Sequence, residues 1–178
     1  MRRKSPAGLR DVGGTARAET RALLEMLDST SAMGRAELRG VSDEELRWQA
    51  AKGGHSIGMI LLHIADVEYW WVQVVALGWP QDQALHDKLL SRETNQYAGT
   101  WPKPPARRKA WFLKQCDEVR AVTKGELTRL DASKHKGRIG EREYSLRWIL
   151  HHLIEHEAYH LGQAVLLREL YKKKRART

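Results

Sequence analysis

The sequence contains very little cysteine and no long apolar segment. Its 178 residues include a single cysteine, Cys116, which excludes an internal disulfide framework and is typical of a reducing cytoplasm. No uninterrupted apolar run approaches the roughly 20 residues that a membrane-spanning helix needs. The basic N-terminus also lacks the apolar stretch of a signal peptide. We therefore expect a cytoplasmic protein that does not cross a membrane.

Acidic residues are absent from both ends of the chain. The first ten and the last eight residues hold nine of the 31 lysines and arginines and no acid. The other basic residues balance the 22 acidic ones, so the net charge of +9 comes from the ends. This distribution predicts basic tails at residues 1–14 and 172–178 around a neutral domain at residues 15–171. A neutral body makes nucleic acid an unexpected partner, because non-specific binding of nucleic acid depends on clustered positive charge.

Strand patterns and sequence repeats are also scarce, and only residues 138–144 carry a weak strand pattern. Four long segments instead space their apolar residues as helices do: 15–38, 56–77, 106–130 and 144–171. The pair Ser42 and Glu45 predicts a capping box that opens a short helix. The expected fold class is all-α, a four-helix bundle in which residues 79–104 form a long crossover between the second and third long helices.

The last long helix places polar side chains where its core-facing seam should be apolar. The seam is Leu146, Ile149, Leu153, His156, His160, Gln163, Leu167 and Leu170. Buried polar groups cost free energy unless something binds them. His156 and His160 are four residues apart and share one helix face, a spacing that allows two imidazoles to bind one metal ion. His63 occupies the core seam of the second long helix. Three imidazoles would leave a coordination position open, as in catalytic metal sites.

Each of these residues also has a structural interpretation. A histidine on an apolar face is commonly a hydrogen-bonded core residue, and Cys116 is expected to be a small core side chain. His152 lies slightly off the seam and is expected to support the ligands or to pack. Asp66, one turn beyond His63, is a candidate fourth ligand or base. Further candidates for orienting the ligands are Gln163, Glu157 and Tyr159.

Two segments and their separation resemble the DinB/YfiT-like family of bacterial metal-binding four-helix bundles. The segments are VSDEELRWQAAKGGHSIGMILLHIADVEYWW at residues 41–71 and YSLRWILHHLIEHEAYHLGQAVLLREL at residues 144–170, with about ninety residues between their histidine elements. The resemblance implies a metal triad at His63, His156 and His160, an up-down-down-up bundle and a homodimer. It also implies a divalent ion, zinc or nickel first, although imidazole ligands suit manganese, iron and cobalt as well. Many members have arginine after the last histidine, where this chain has Leu161.

The resemblance further implies chemistry with a low-molecular-weight thiol. A metal with an open position can bind a thiol as thiolate at neutral pH and present it to an electrophile. In this hypothesis the three histidines hold the metal, and Asp66 or a nearby group accepts the proton. Two alternatives remain open: a metal-dependent hydrolase, and a non-catalytic dimeric stress-response module with a structural ion.

Overall fold

The computed structural model describes residues 17–94 and 99–177. The chain is mostly helical, as the all-α class requires. The elements are α1 (Ala18–Glu37), α2 (Asp43–Arg47), α3 (Ile57–Tyr69), a π-helical segment (Trp70–Ala76), α4 (Gln83–Lys88), α5 (Lys109–Leu127), β1 (Lys136–Ile139), β2 (Arg142–Ser145) and α6 (Leu146–Arg175).

Serine side chains fix the starts of three helices. Ser42, Ser56 and Ser145 precede α2, α3 and α6, and each hydroxyl accepts a hydrogen bond from a backbone N–H in the first turn of its helix. These bonds satisfy N–H groups that have no partner within the helix. The predicted cap at Ser42 is thereby confirmed.

Several predicted boundaries shift. Helix α5 is shorter at both ends than the predicted segment 106–130, and it follows a turn in which the N–H of Arg107 donates to the carbonyl of Pro105. Helix α6 continues through Arg175, so the basic residues 172–175 extend a helix instead of forming an irregular tail. For the first long helix the sequence also favours Thr15 as the N-cap, and this residue lies outside the described residues. The apolar spacing of that helix places Met33 on its inward face, whereas Met33 is 62% exposed.

Contacts between side chains show how the long helices run. Glu19 pairs with Arg147, and Arg168 donates to the carbonyl of Glu37, so α1 and α6 are parallel. Cys116 of α5 contacts the carbonyl of Leu61 in α3, and Arg120, one turn further along α5, binds Glu68 further along α3. The helices α3 and α5 are therefore parallel too. Helix α3 runs antiparallel to α6. The pairs α1 with α6, α3 with α6, and α3 with α5 make the main helix contacts.

Helix α3 and the π-helical segment form the most apolar helical stretch of the chain. By length and composition, residues 57–76 meet the criterion for a membrane-spanning helix, although His63, Asp66 and Glu68 interrupt the apolar residues. Most of this stretch is buried inside the protein. It therefore acts as a central helix of the core, against which α5 and α6 pack.

The strands β1 and β2 form an antiparallel hairpin at the weak strand pattern noted above, and the hairpin lies against the π-helical segment. Gly137 makes the closest approach, because a Cβ atom on it would lie 2.5 Å from the carbonyl oxygen of Val75. His135 anchors the same region, with Nε2 2.7 Å from the carbonyl oxygen of Ala76. The hairpin thus fixes the entry into α6.

Replacing Gly137 with alanine is expected to destabilise the protein by about 1–3 kcal/mol, because the added methyl group meets backbone atoms that cannot rotate away. The matched control is Gly125→Ala in α5, where nothing lies within 4 Å of the added carbon. That change should stabilise the helix by about 0.5–1 kcal/mol. Urea denaturation measures both effects, and a Gly137→Ala variant as stable as wild type would contradict the packing described here.

Candidate metal centre

Three histidines from two antiparallel helices meet in the interior. His63 lies on α3, and His156 and His160 lie on consecutive turns of α6. One ring nitrogen from each residue falls within 4.8 Å of the others. His63 and His160 are 5% and 3% exposed, and His156 is partly buried. The structure therefore brings together the three histidines that the helical seams selected.

The geometry of the ring nitrogens suits a shared ligand. Nε2 of His156 lies 3.1 Å from Nε2 of His63. A direct hydrogen bond requires a proton on one of these nitrogens, whereas metal binding requires a lone pair on both. Nδ1 of His160 lies 2.8 Å from Oε1 of Gln163, so this nitrogen carries the proton and Nε2 keeps its lone pair. Gln163 is thus in hydrogen-bond contact with His160.

Two nitrogens of the triad are buried without a hydrogen-bond partner among the described residues. They are Nε2 of His160 and Nδ1 of His63. A buried polar atom that lacks a partner costs about 1–3 kcal/mol. A bound cation would remove this cost at His160, because His160 belongs to the group of three histidines that could hold one ion. The donor set therefore fits a divalent metal ion.

Burial keeps the imidazoles neutral. Removal from water lowers the pKa of His63 to about 3 and that of His156 to about 2, and the neighbouring imidazoles lower both further. Burial also lowers the pKa of His160. At neutral pH all three rings are uncharged, which is the form that binds metals.

The other candidates from the sequence take different positions. His152 is half-buried beside the triad, with its ring centroid 5.8 Å from that of His156. Asp66 does not belong to the group of ligand atoms found among the described residues. Its carboxylate accepts a hydrogen bond from Ser91, and burial raises its pKa to about 6. Tyr159 is 65% exposed.

Glu157 was a candidate for orienting the metal ligands, but its carboxylate binds other partners. It accepts hydrogen bonds from Ser31 at 2.6 Å and from Arg120 at 2.9 Å. Arg120 also binds both carboxylate oxygens of Glu68 at 2.8 Å and reaches Asp28 at 3.2 Å. These residues form a buried ionic cluster that links α1, α3, α5 and α6, and Cys116 lines the same cavity of about 310 Å³.

Two residues near the centre were not predicted from the sequence. Trp101 is 5% exposed, and its ring centroid lies 5.3 Å from that of His63 and 4.2 Å from that of His55. The N–H of Trp101 donates to the carbonyl of Gly53 at 2.7 Å. The sequence predicts residues 79–104 only as a long crossover, which does not single out Trp101, and no pattern in the sequence indicates His55.

Known proteins give a consistent picture. The solved crystal structure of a conserved protein from Enterococcus faecalis shares this fold, with a TM-score of 0.59 and 18% sequence identity over 85% of this chain and 95% of that chain. No curated protein matches the chain significantly. The sequence profile of the mycothiol-S-transferase family matches residues 22–173, a span that includes all three histidines. The chain therefore belongs to the mycothiol-S-transferase family, a DinB/YfiT-like metal-binding family.

Proposed function

We propose that the protein is a metal-dependent thiol S-transferase that uses a low-molecular-weight thiol, with mycothiol as the first candidate because the family is described by that thiol. The observation that carries the proposal is the cluster of three neutral ring nitrogens on α3 and α6. When bound, the ion supplies a Lewis acid that favours the thiolate form of the cosubstrate.

The residues of the chain have separate tasks in this proposal. His63, His156 and His160 hold the ion, and Gln163 fixes the tautomer of His160 through Nδ1. Trp101 packs edge-on against His63 and is proposed to keep water from that ring. Asp66 is proposed to accept the thiol proton. A carboxyl group with a pKa of about 6 is mostly deprotonated at neutral pH, and its carboxylate is a stronger base than an ordinary one. His152 supports His156 by packing against it.

The architecture and setting are proposed on the same basis. The parallel and antiparallel pairs described above agree with an up-down-down-up four-helix bundle, with residues 79–104 as its crossover. Homodimer formation is supported by large apolar side chains that α1 and α6 expose: Met26, Met33, Leu166 and Leu170. Zinc or nickel is the proposed ion, with manganese, iron and cobalt as further candidates, and the proposed location is the bacterial cytoplasm.

The test is thiol transfer to 1-chloro-2,4-dinitrobenzene. The thiol sulfur forms a bond to the ring carbon, chloride leaves, and the thiol proton is released to solvent. Protein loaded with zinc or nickel should consume mycothiol and 1-chloro-2,4-dinitrobenzene in equal amounts, while His156→Ala should fall to the uncatalysed rate. Ester hydrolysis without any thiol, together with no thiol transfer, would contradict the proposal and favour the hydrolase.

A further inference from the structure

Aromatic rings lie along α6 at a constant spacing of four residues. The series is Tyr144, Trp148, His152, His156 and His160, and it begins in the hairpin and ends in the triad. Residues four apart are neighbours on a helix surface, so each ring lies next to the one before it. The spacing therefore builds a continuous row of rings from the outside of the protein to the candidate metal centre.

The ring contacts confirm that this row is continuous. His152 stacks on Trp148 with a centroid separation of 5.0 Å and an angle of 9° between the rings. The Trp148 ring centroid also lies 4.9 Å from that of Tyr144. His152 then meets His156 at 5.8 Å. A ligand bound against Trp148 and His152 would thus lie beside a proposed metal ligand.

Trp71 packs beside this row and contacts three of its rings. Its ring lies 5.0 Å from Tyr144, 5.1 Å from Trp148 and 5.3 Å from His152. Trp71 belongs to the π-helical segment, an arrangement that is rare in helices and frequent at functional sites. We call the four residues Trp71, Tyr144, Trp148 and His152 the aromatic wall.

Exposure decreases from Trp148 towards the triad. Trp148 is 41% exposed, the other three members are half-buried, and His160 at the end of the row is 3% exposed. Arg142 stands at the outer end, with its guanidinium carbon 4.9 Å from the centroid of Tyr144. Large aromatic side chains left open to solvent beside a buried site are typical of ligand contacts.

We propose that the aromatic wall binds the electrophilic substrate and that this substrate is a planar aromatic or conjugated compound. The inference rests on the proposed function, because it takes the triad as the position of the thiol. Flat rings stack on flat ligands and gain attraction beyond that of buried area alone. Bound in this way, the electrophile lies against the exposed part of Trp148, at the outer side of the row that continues through His152 to His156.

The experiment compares two amides of similar size, benzamide and cyclohexanecarboxamide, by ligand-observed NMR titration without thiol. The planar benzamide should bind wild type more tightly than the puckered ring. Trp148→Leu should weaken benzamide binding by about threefold to tenfold and change the binding of cyclohexanecarboxamide by less than about twofold. Trp148→Phe should restore part of the benzamide affinity. The control is Trp111→Leu, which removes a half-buried tryptophan that packs on Phe112 in α5.

Equal benzamide affinity in wild type and Trp148→Leu would overturn the inference, as would an equal loss for both amides. A different result would contradict the proposed function alone. If His160→Ala and wild type are alike in lacking thiol transfer, while the benzamide preference persists and depends on Trp148, the wall binds planar ligands for another reaction.

Discussion

Replacing Arg120 with methionine is expected to destabilise the protein by about 3–5 kcal/mol. The guanidinium is 13% exposed, and its partners Glu68 and Glu157 are 5% and 8% exposed. Methionine fills a similar volume but leaves both carboxylates buried without their cation. The loss thus comes mainly from two uncompensated charges, and chemical denaturation measures it.

The dependence on pH identifies the origin of this loss. Burial already raises the pKa of Glu157 in the wild type, and Arg120 opposes that rise. Without Arg120 the folded-state pKa rises further above the unfolded value, so the stability deficit is small at low pH and grows as the pH rises through the folded-state pKa. The deficit of Arg120→Met should therefore be larger at about pH 7 than at about pH 5.

Two further variants make the test specific. Adding Glu68→Gln and Glu157→Gln to Arg120→Met should recover much of the lost stability, because no buried charge then remains. Arg129→Met removes a cation that is 54% exposed and pairs with Glu126, and it should cost less than about 1 kcal/mol. Equal effects of the Arg120 and Arg129 changes would contradict a buried ionic cluster.

The second large effect concerns the triad. His160→Ala is expected to abolish thiol transfer while leaving the protein folded, with a stability within about 2 kcal/mol of wild type when both are measured in a chelator. The alanine removes Nε2, which has no hydrogen-bond partner among the described residues, so the loss in the metal-free protein is limited to the bond between Nδ1 and Gln163 and to the packing of the ring. Activity and urea denaturation together measure the two parts of this prediction.

Added zinc should stabilise the wild type but not the His160→Ala variant. The free energy of unfolding of the wild type should rise by about 4 kcal/mol when zinc is in thousandfold excess over its dissociation constant. His151→Ala is the matched control, because His151 lies on the same helix but is 60% exposed and pairs with Glu155. An unfolded His160→Ala variant would indicate instead that the ion is structural, as in the non-catalytic alternative.

The sequence predicted the parts of the structure that depend on local periodicity. The spacing of four between His156 and His160 is a property of one helix, and the position of His63 in another apolar seam was enough to place it in the same core. Ser42 could be predicted as a cap because its partner is three residues away. Such features need only short-range rules.

Long-range contacts were not predictable in the same way. The position of Trp101 beside His63 depends on the path of a loop that the sequence leaves open. Glu157 has the same helical phase as a residue that could support the triad, but its partner Arg120 comes from α5, and no local pattern reveals that pairing. The exposure of Met33 similarly depends on which part of α1 faces α6.

The measurement that tests the central claim most directly is the metal content of untagged protein by elemental mass spectrometry, for wild type and for the single alanine variants of His63, His156 and His160. The geometry predicts one divalent ion per chain in wild type and its loss in each variant. A wild-type protein that contains no stoichiometric ion and takes up neither zinc, nickel nor manganese would contradict the claim, and the three histidines would then be core residues of the fold.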